Sequence, residues 1–133
     1  MARILVAEDD PGVRLLVTRA LMMEGHAVVA AEDGEAALEL LEEKEGAFDL
    51  LLSDIRMPVM TGIELARAVS TRFPALTILL MTGYAEQREE AETLPAIVGI
   101  VDKPFTVAEI RRAVTTALAG SYTEWETVRS CCA

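Results

Sequence analysis

Five short, mostly apolar runs recur along the chain, and a stretch with helical periodicity follows each of them. The runs are Arg3 to Ala7, Ala27 to Ala31, Leu50 to Ser53, Thr77 to Met81 and Gly99 to Asp102. They are too short for buried helices. The first, third and fourth are apolar almost throughout rather than alternating, as strands covered on both faces require. Strands that alternate strictly with helices predict a parallel sheet joined by crossover helices. Right-handed crossovers then favour an α/β, doubly wound five-stranded sheet of order 2-1-3-4-5, flanked by five helices.

The intervening segments carry start and stop signals. Asp10 suits an N-cap and Pro11 the first helical position, with an inward stripe of Val13, Leu16, Val17, Ala20 and Leu21 before Gly25 ends the helix. A second helix is expected over Glu35 to Lys44, with Ala37, Leu38 and Leu41 inward. The third runs from about Ile63 to Arg72 and is followed by Pro74. The fourth, Ala85 to Thr93, is so polar that it has little apolar face; it is expected to be the least firmly packed element, stopped by Pro95. The fifth spans about Val107 to Ala119, with Ile110, Val114 and Leu118 inward. One domain covers residues 1–120. Residues 121–133, with Trp125, Cys131 and Cys132, are read as a tail or linker.

Composition removes several classes. At 133 residues and 52% hydrophobic, the chain suits a single folded domain. Its net charge of −10 repels nucleic-acid phosphates, and no DNA-binding signature is present. There is no membrane-length apolar run and no secretory signal, so a cytoplasmic location is expected. Adjacent cysteines suit neither a relaxed disulfide nor a zinc site and are read as reduced thiols. His26, the only histidine, is placed at a surface turn without a chemical role.

The reactive side chains fall at the carboxyl ends of the predicted strands, where ligands bind in open α/β sheets. Glu8 and Asp9 follow the first strand, Asp54 the third, Thr82 the fourth and Lys103 the fifth. Order 2-1-3-4-5 puts the switch point between strands one and three, beside Glu8, Asp9 and Asp54. Carboxylates gathered this closely need a cation, and magnesium takes one or two carboxylates with waters and phosphate oxygens. Asp9 and Asp54 are assigned as direct ligands, the Arg56 backbone carbonyl as a third, and Glu8 as a ligand through water. Asp54 is also a candidate nucleophile toward phosphorus, with Lys103 and Thr82 stabilising the transferred group. A cis peptide is expected at Lys103-Pro104.

Taken in order, Ile4-Leu5-Val6-Ala7-Glu8-Asp9-Asp10, Asp54-Ile55-Arg56-Met57-Pro58, Gly62, Thr82-Gly83 and Lys103-Pro104-Phe105 resemble the receiver domains of bacterial two-component response regulators, which have a flavodoxin-like, chemotaxis-receiver-like fold. The resemblance implies magnesium-dependent transfer of a phosphoryl group from a histidine kinase or phosphotransfer protein to Asp54. It implies Glu8 and Asp9 as the acidic pair, Thr82 as switch hydroxyl and Lys103 as phosphate partner, in a signalling switch rather than a metabolic enzyme. Two positions depart from the family pattern. Ile100 stands where an inward-turning aromatic is usual, and Gly83 replaces a common alanine. Tyr84 is the candidate substitute for the missing aromatic. Arg56 and Tyr84, each two residues past a site residue, are expected to obstruct attacking water and prolong the life of the phosphoryl group.

The expected output face is the fourth helix, fifth strand and fifth helix, with Arg88, Glu89, Glu92, Arg111 and Arg112. Its user is an unknown downstream protein or a phosphorylation-dependent dimer. Gly62 to Arg67 with Thr82 to Ala85 is similar to single-domain receivers that govern regulated proteolysis in alphaproteobacteria. The alternatives are a receiver segment of a larger hybrid kinase or transcription factor, and a degenerate receiver that binds partners without phosphorylation. A dehalogenase-type aspartyl enzyme would need an acid where Arg56 stands. A flavin module would need a hydroxyl- and glycine-rich loop where Glu8-Asp9-Asp10 stands.

Overall fold

The computed structural model describes residues 2–119. The elements are β1 (Arg3–Ala7), α1 (Pro11–Met23), β2 (Ala27–Ala31), α2 (Gly34–Glu43), β3 (Leu50–Asp54), α3 (Gly62–Arg72), β4 (Thr77–Thr82), α4 (Ala85–Glu92), β5 (Ile97–Asp102) and α5 (Val107–Leu118). All neighbouring strands are parallel, in the order β2-β1-β3-β4-β5, as expected. The candidate tail, with Trp125, Cys131 and Cys132, lies outside the described residues.

Strand periodicity sorts the core into two layers. Ile4, Val6, Leu52 and Leu79 point to one face, against Val17 and Leu21 of α1 and Ile110 and Val114 of α5. Leu5, Leu51, Ile78 and Leu80 point to the other, against Leu41 of α2 and Leu65 and Val69 of α3. Each such side chain contributes about 1.5–3 kcal/mol on burial. Every residue of the central strand β3 is buried, which fixes the backbone that carries Asp54.

Three details depart from expectation. Leu16 is 42% exposed instead of inward. α1 packs through Val17, Ala20 and Leu21, and Leu16 lies about 100° around the helix from Val17. β5 begins at Ile97, two residues early, and its register shifts there: Ile78 pairs with Ile97 but Leu79 pairs with Gly99, which leaves Val98 as the extra residue of a bulge. Arg111 leaves the expected output face and pairs with Glu24 at the end of α1.

Other local signals act as their chemistry predicts. Asp10 accepts from the N–H groups of Gly12 and Val13. Gly25 has φ +91°, and the His26 and Gly25 N–H groups close the end of α1 on the carbonyls of Leu21 and Met22. His26 Nδ1 accepts from the Ala2 N–H at 3.1 Å, a structural contact. In the β3–α3 loop, Met60 N–H reaches the Pro58 carbonyl at 2.7 Å across Val59, whose φ is +70°. A β-branched residue in that region is strained, and the loop that follows Asp54 stores this strain.

Candidate functional site

The site is assembled where β1, β3, β4 and β5 end on the same edge of the sheet. Leu51 on β3 pairs in register with Leu5 on β1 and with Ile78 on β4. Glu8 follows β1, Asp54 closes β3, Thr82 closes β4, and Lys103 follows β5 at a cis Lys103-Pro104 bond. The Lys103 N–H donates to the Thr82 carbonyl at 2.7 Å, which ties the two loops together. The result is an open cleft of about 510 Å³, lined in part by Glu8, Asp9, Asp54, Arg56, Tyr84 and Lys103. A larger recess, about 760 Å³, lies toward the amino ends of the strands around Ala2, His26 and Phe48. Its carboxylate, Asp49, is engaged by the Arg3 N–H at 2.8 Å.

Carboxylate oxygens of Glu8, Asp9 and Asp54 lie within 4.8 Å of one another. Glu8 is fully buried, Asp54 is 6% exposed, and Asp9 is exposed. Lys103 Nζ bridges the two buried acids, 2.7 Å from Glu8 Oε1 and 3.1 Å from Asp54 Oδ2. The other Glu8 oxygen accepts from the Asp10 N–H at 3.2 Å. Burial drives the Glu8 carboxyl up to about 7, and the nearby Asp54 charge adds to this, although the Lys103 hydrogen bond opposes it. For Lys103, burial works to lower the pKa, but the Glu8 and Asp54 carboxylates outweigh it and raise the pKa. The ammonium is therefore held charged beside the acids.

Arg56 and Tyr84 form the rim, with the Arg56 guanidinium 5.0 Å from the Tyr84 ring centre in a cation–π stack. Ile100 is half-buried and packs on the α2–α3 face of the sheet, at a position paired with Leu80. Gly83 has no positive φ, and a Cβ there would be 3.7 Å from Lys103 Cβ, so its glycine is not a steric requirement. Thr82 is buried behind Gly83, which forms the cleft wall. Its hydroxyl engages Tyr84 and Gln87. Gln87 is a contact that sequence reasoning missed. The available signal was its position as third residue of a helix preceded by no capping side chain.

Residues 4–115 match the response regulator receiver domain family, and the chain belongs to that family. It is 39% identical over 111 residues to the response regulator receiver protein CpdR of Brucella abortus, covering 83% of this chain and 91% of that one. It is 36% identical over 115 residues to the sensor kinase CckA of the same organism, covering 85% of this chain but only 12% of the kinase. Among solved structures, the response regulator TrrA of Thermotoga maritima, in complex with Mg(2+)-BeF, superposes with a TM-score of 0.78 at 33% identity, over 88% of this chain and 99% of that one. The chain is thus a phosphoryl-accepting receiver of a two-component system, and it carries an acidic cluster of Glu8, Asp9 and Asp54. Among the described residues no helix is long and apolar enough to cross a membrane.

Proposed function

We propose that Asp54 is the phosphoacceptor, and that the donor is a phosphohistidine on a histidine kinase or phosphotransfer protein. The observation that carries this is the Lys103 ammonium, 3.1 Å from Asp54 Oδ2 in a cluster of three carboxylates that opens onto the cleft. In the transfer, an Asp54 carboxylate oxygen attacks phosphorus. The new O–P bond forms as the N–P bond breaks, and the imidazole nitrogen leaves with the electron pair. Lys103 is then free to turn from Asp54 to the phosphoryl oxygens. The Thr82 hydroxyl would serve as a second donor.

The donor set fits magnesium, being made only of hard oxygens. The Asp9 carboxylate has no partner among the described residues, and the Glu8 oxygens are held by Lys103 and Asp10. Asp9 and Asp54 would therefore bind the ion directly, with the Arg56 backbone carbonyl, and Glu8 would act through water. When bound, the ion supplies positive charge against the phosphoryl oxygens. The protein then works as a cytoplasmic signalling switch that alters partner binding, rather than as a metabolic enzyme. Incubation with a small-molecule phosphodonor and magnesium is expected to add one phosphoryl mass. Asp54→Asn abolishes that gain, and a gain that survives the substitution refutes the assignment.

The Arg56–Tyr84 stack supports a long-lived phosphoryl group, because both residues line the cleft with Asp54, where their bulk would hinder attacking water. Arg56→Ala and Tyr84→Ala are each expected to speed decay of the phosphorylated form several-fold, as the ordering gained from a cation–π contact is lost. Decay followed by intact mass gives the answer, and rates equal to wild type remove the stack from the mechanism.

A further inference from the structure

Among the described residues, four of the five helices begin at a residue whose own side chain caps the first turn: Asp10, Asp33, Thr61 and Thr106. α4 begins at Tyr84, which makes no side-chain cap bond. In α3 and α5 the glutamate at the third helical position reaches back to the N-cap N–H, completing a capping box. In α4 the third position is Gln87, and its side chain reaches past the cap to Thr82. Thr82 Oγ1 accepts from the Tyr84 N–H at 3.1 Å and donates to Gln87 Oε1 at 3.0 Å, with the Tyr84 carbonyl at 3.3 Å as a competing acceptor. The Thr82 hydroxyl thus takes the N-cap N–H that the third-position glutamate takes in α3 and α5, while the first turn of α4 has no side-chain cap of its own.

We propose that Gln87 is a positioning residue that holds the Thr82 hydroxyl toward α4 and transmits any movement of Thr82 to the first turn of that helix. The proposal rests on the reading of Thr82 as a donor to the phosphoryl group. One hydroxyl proton cannot serve both Gln87 and a phosphoryl oxygen. Phosphorylation therefore competes with the latch, and a shift of Thr82 toward Asp54 removes two contacts from the start of α4. That helix buries only Ala91, so little packing resists the change. Arg88, the next residue, pairs with Asp102 on β5 and with Glu92, so the same movement reaches the charged surface between α4 and β5. The two states differ in named contacts, as a population shift requires.

Gln87→Met tests this, because methionine has similar length and helix propensity but no amide. Beryllofluoride with magnesium serves as probe, read by calorimetry and by amide hydrogen exchange of residues 85–92. Losing one competing hydrogen bond is expected to tighten binding of the probe about fivefold and to speed exchange in the first turn of α4 before the probe is added. In a Thr82→Val background, Gln87→Met should change neither quantity, since the partner hydroxyl is already gone. Unchanged affinity in Gln87→Met, or an equal effect with and without the Thr82 hydroxyl, overturns the latch while loss of probe binding in Asp54→Asn leaves the site intact. Probe binding that persists in Asp54→Asn overturns the site assignment and the latch together.

Discussion

Lys103→Met is expected to cost about 3–5 kcal/mol of stability at pH 7.5, the range for removing one partner of a buried ion pair. The lysine is the ammonium that touches both buried acids, and Glu8 behind it has no solvent exposure. The loss should shrink as pH falls. Glu8 ordinarily titrates near 4.5 but is raised to about 7 in the fold, chiefly by burial. A group raised in the folded state binds more protons there than in the unfolded chain, so its contribution is fully present below pH 4.5 and is lost as pH rises through about 7. Even the wild type should therefore lose stability over that window, by as much as about 3 kcal/mol from this group, when no divalent cation is supplied. Glu8→Gln should flatten that pH dependence and rescue much of the Lys103→Met defect. Urea unfolding at pH 5 and pH 7.5 measures all four proteins; a Lys103→Met penalty equal at both values would show that Glu8 is not the stranded charge.

Gly62→Ala is expected to destabilise by about 3 kcal/mol or more, roughly a 10 °C or larger fall in Tm. An added Cβ would lie 2.2 Å from the Asp54 carbonyl oxygen and 2.8 Å from Ile55 Cα. Both are backbone atoms, so no side-chain rotation relieves the contact. The Gly62 N–H also donates to the Ile55 carbonyl at 2.8 Å, holding the start of α3 against the end of β3. Separating the two moves the peptide that carries the phosphoacceptor, so phosphorylation should fall along with stability. Gly83→Ala is the control, because its Cβ finds an ordinary contact at 3.7 Å. Similar Tm values for the two alanine variants would contradict the close approach.

Strand and helix periods, and the residues that start and stop helices, could be read along the chain because each depends on neighbours a few positions away. Asp10-Pro11, Gly25 and the polarity of α4 therefore appear where expected, and crossover handedness turned the alternation into a sheet order. Leu16 is exposed although the pattern points it inward, because the apolar stripe of α1 is wider than the face it buries. The bulge at Val98 depends on the partner strand β4, and nothing in the β5 segment announces it.

At the site, the residue types and their strand-end positions could be read, but their pairings could not. Glu8 and Lys103 meet at 2.7 Å although 95 positions apart. That contact fixes which acid the lysine neutralises, and it follows from how two loops dock, not from either loop's composition. The Gln87 tie to Thr82 and the Arg56 stack on Tyr84 are likewise settled by side-chain direction at the strand ends. Residue order alone thus specified the layers and the cast of reactive groups. Folding decided who touches whom, because contact energies act through space between segments that local patterning leaves independent.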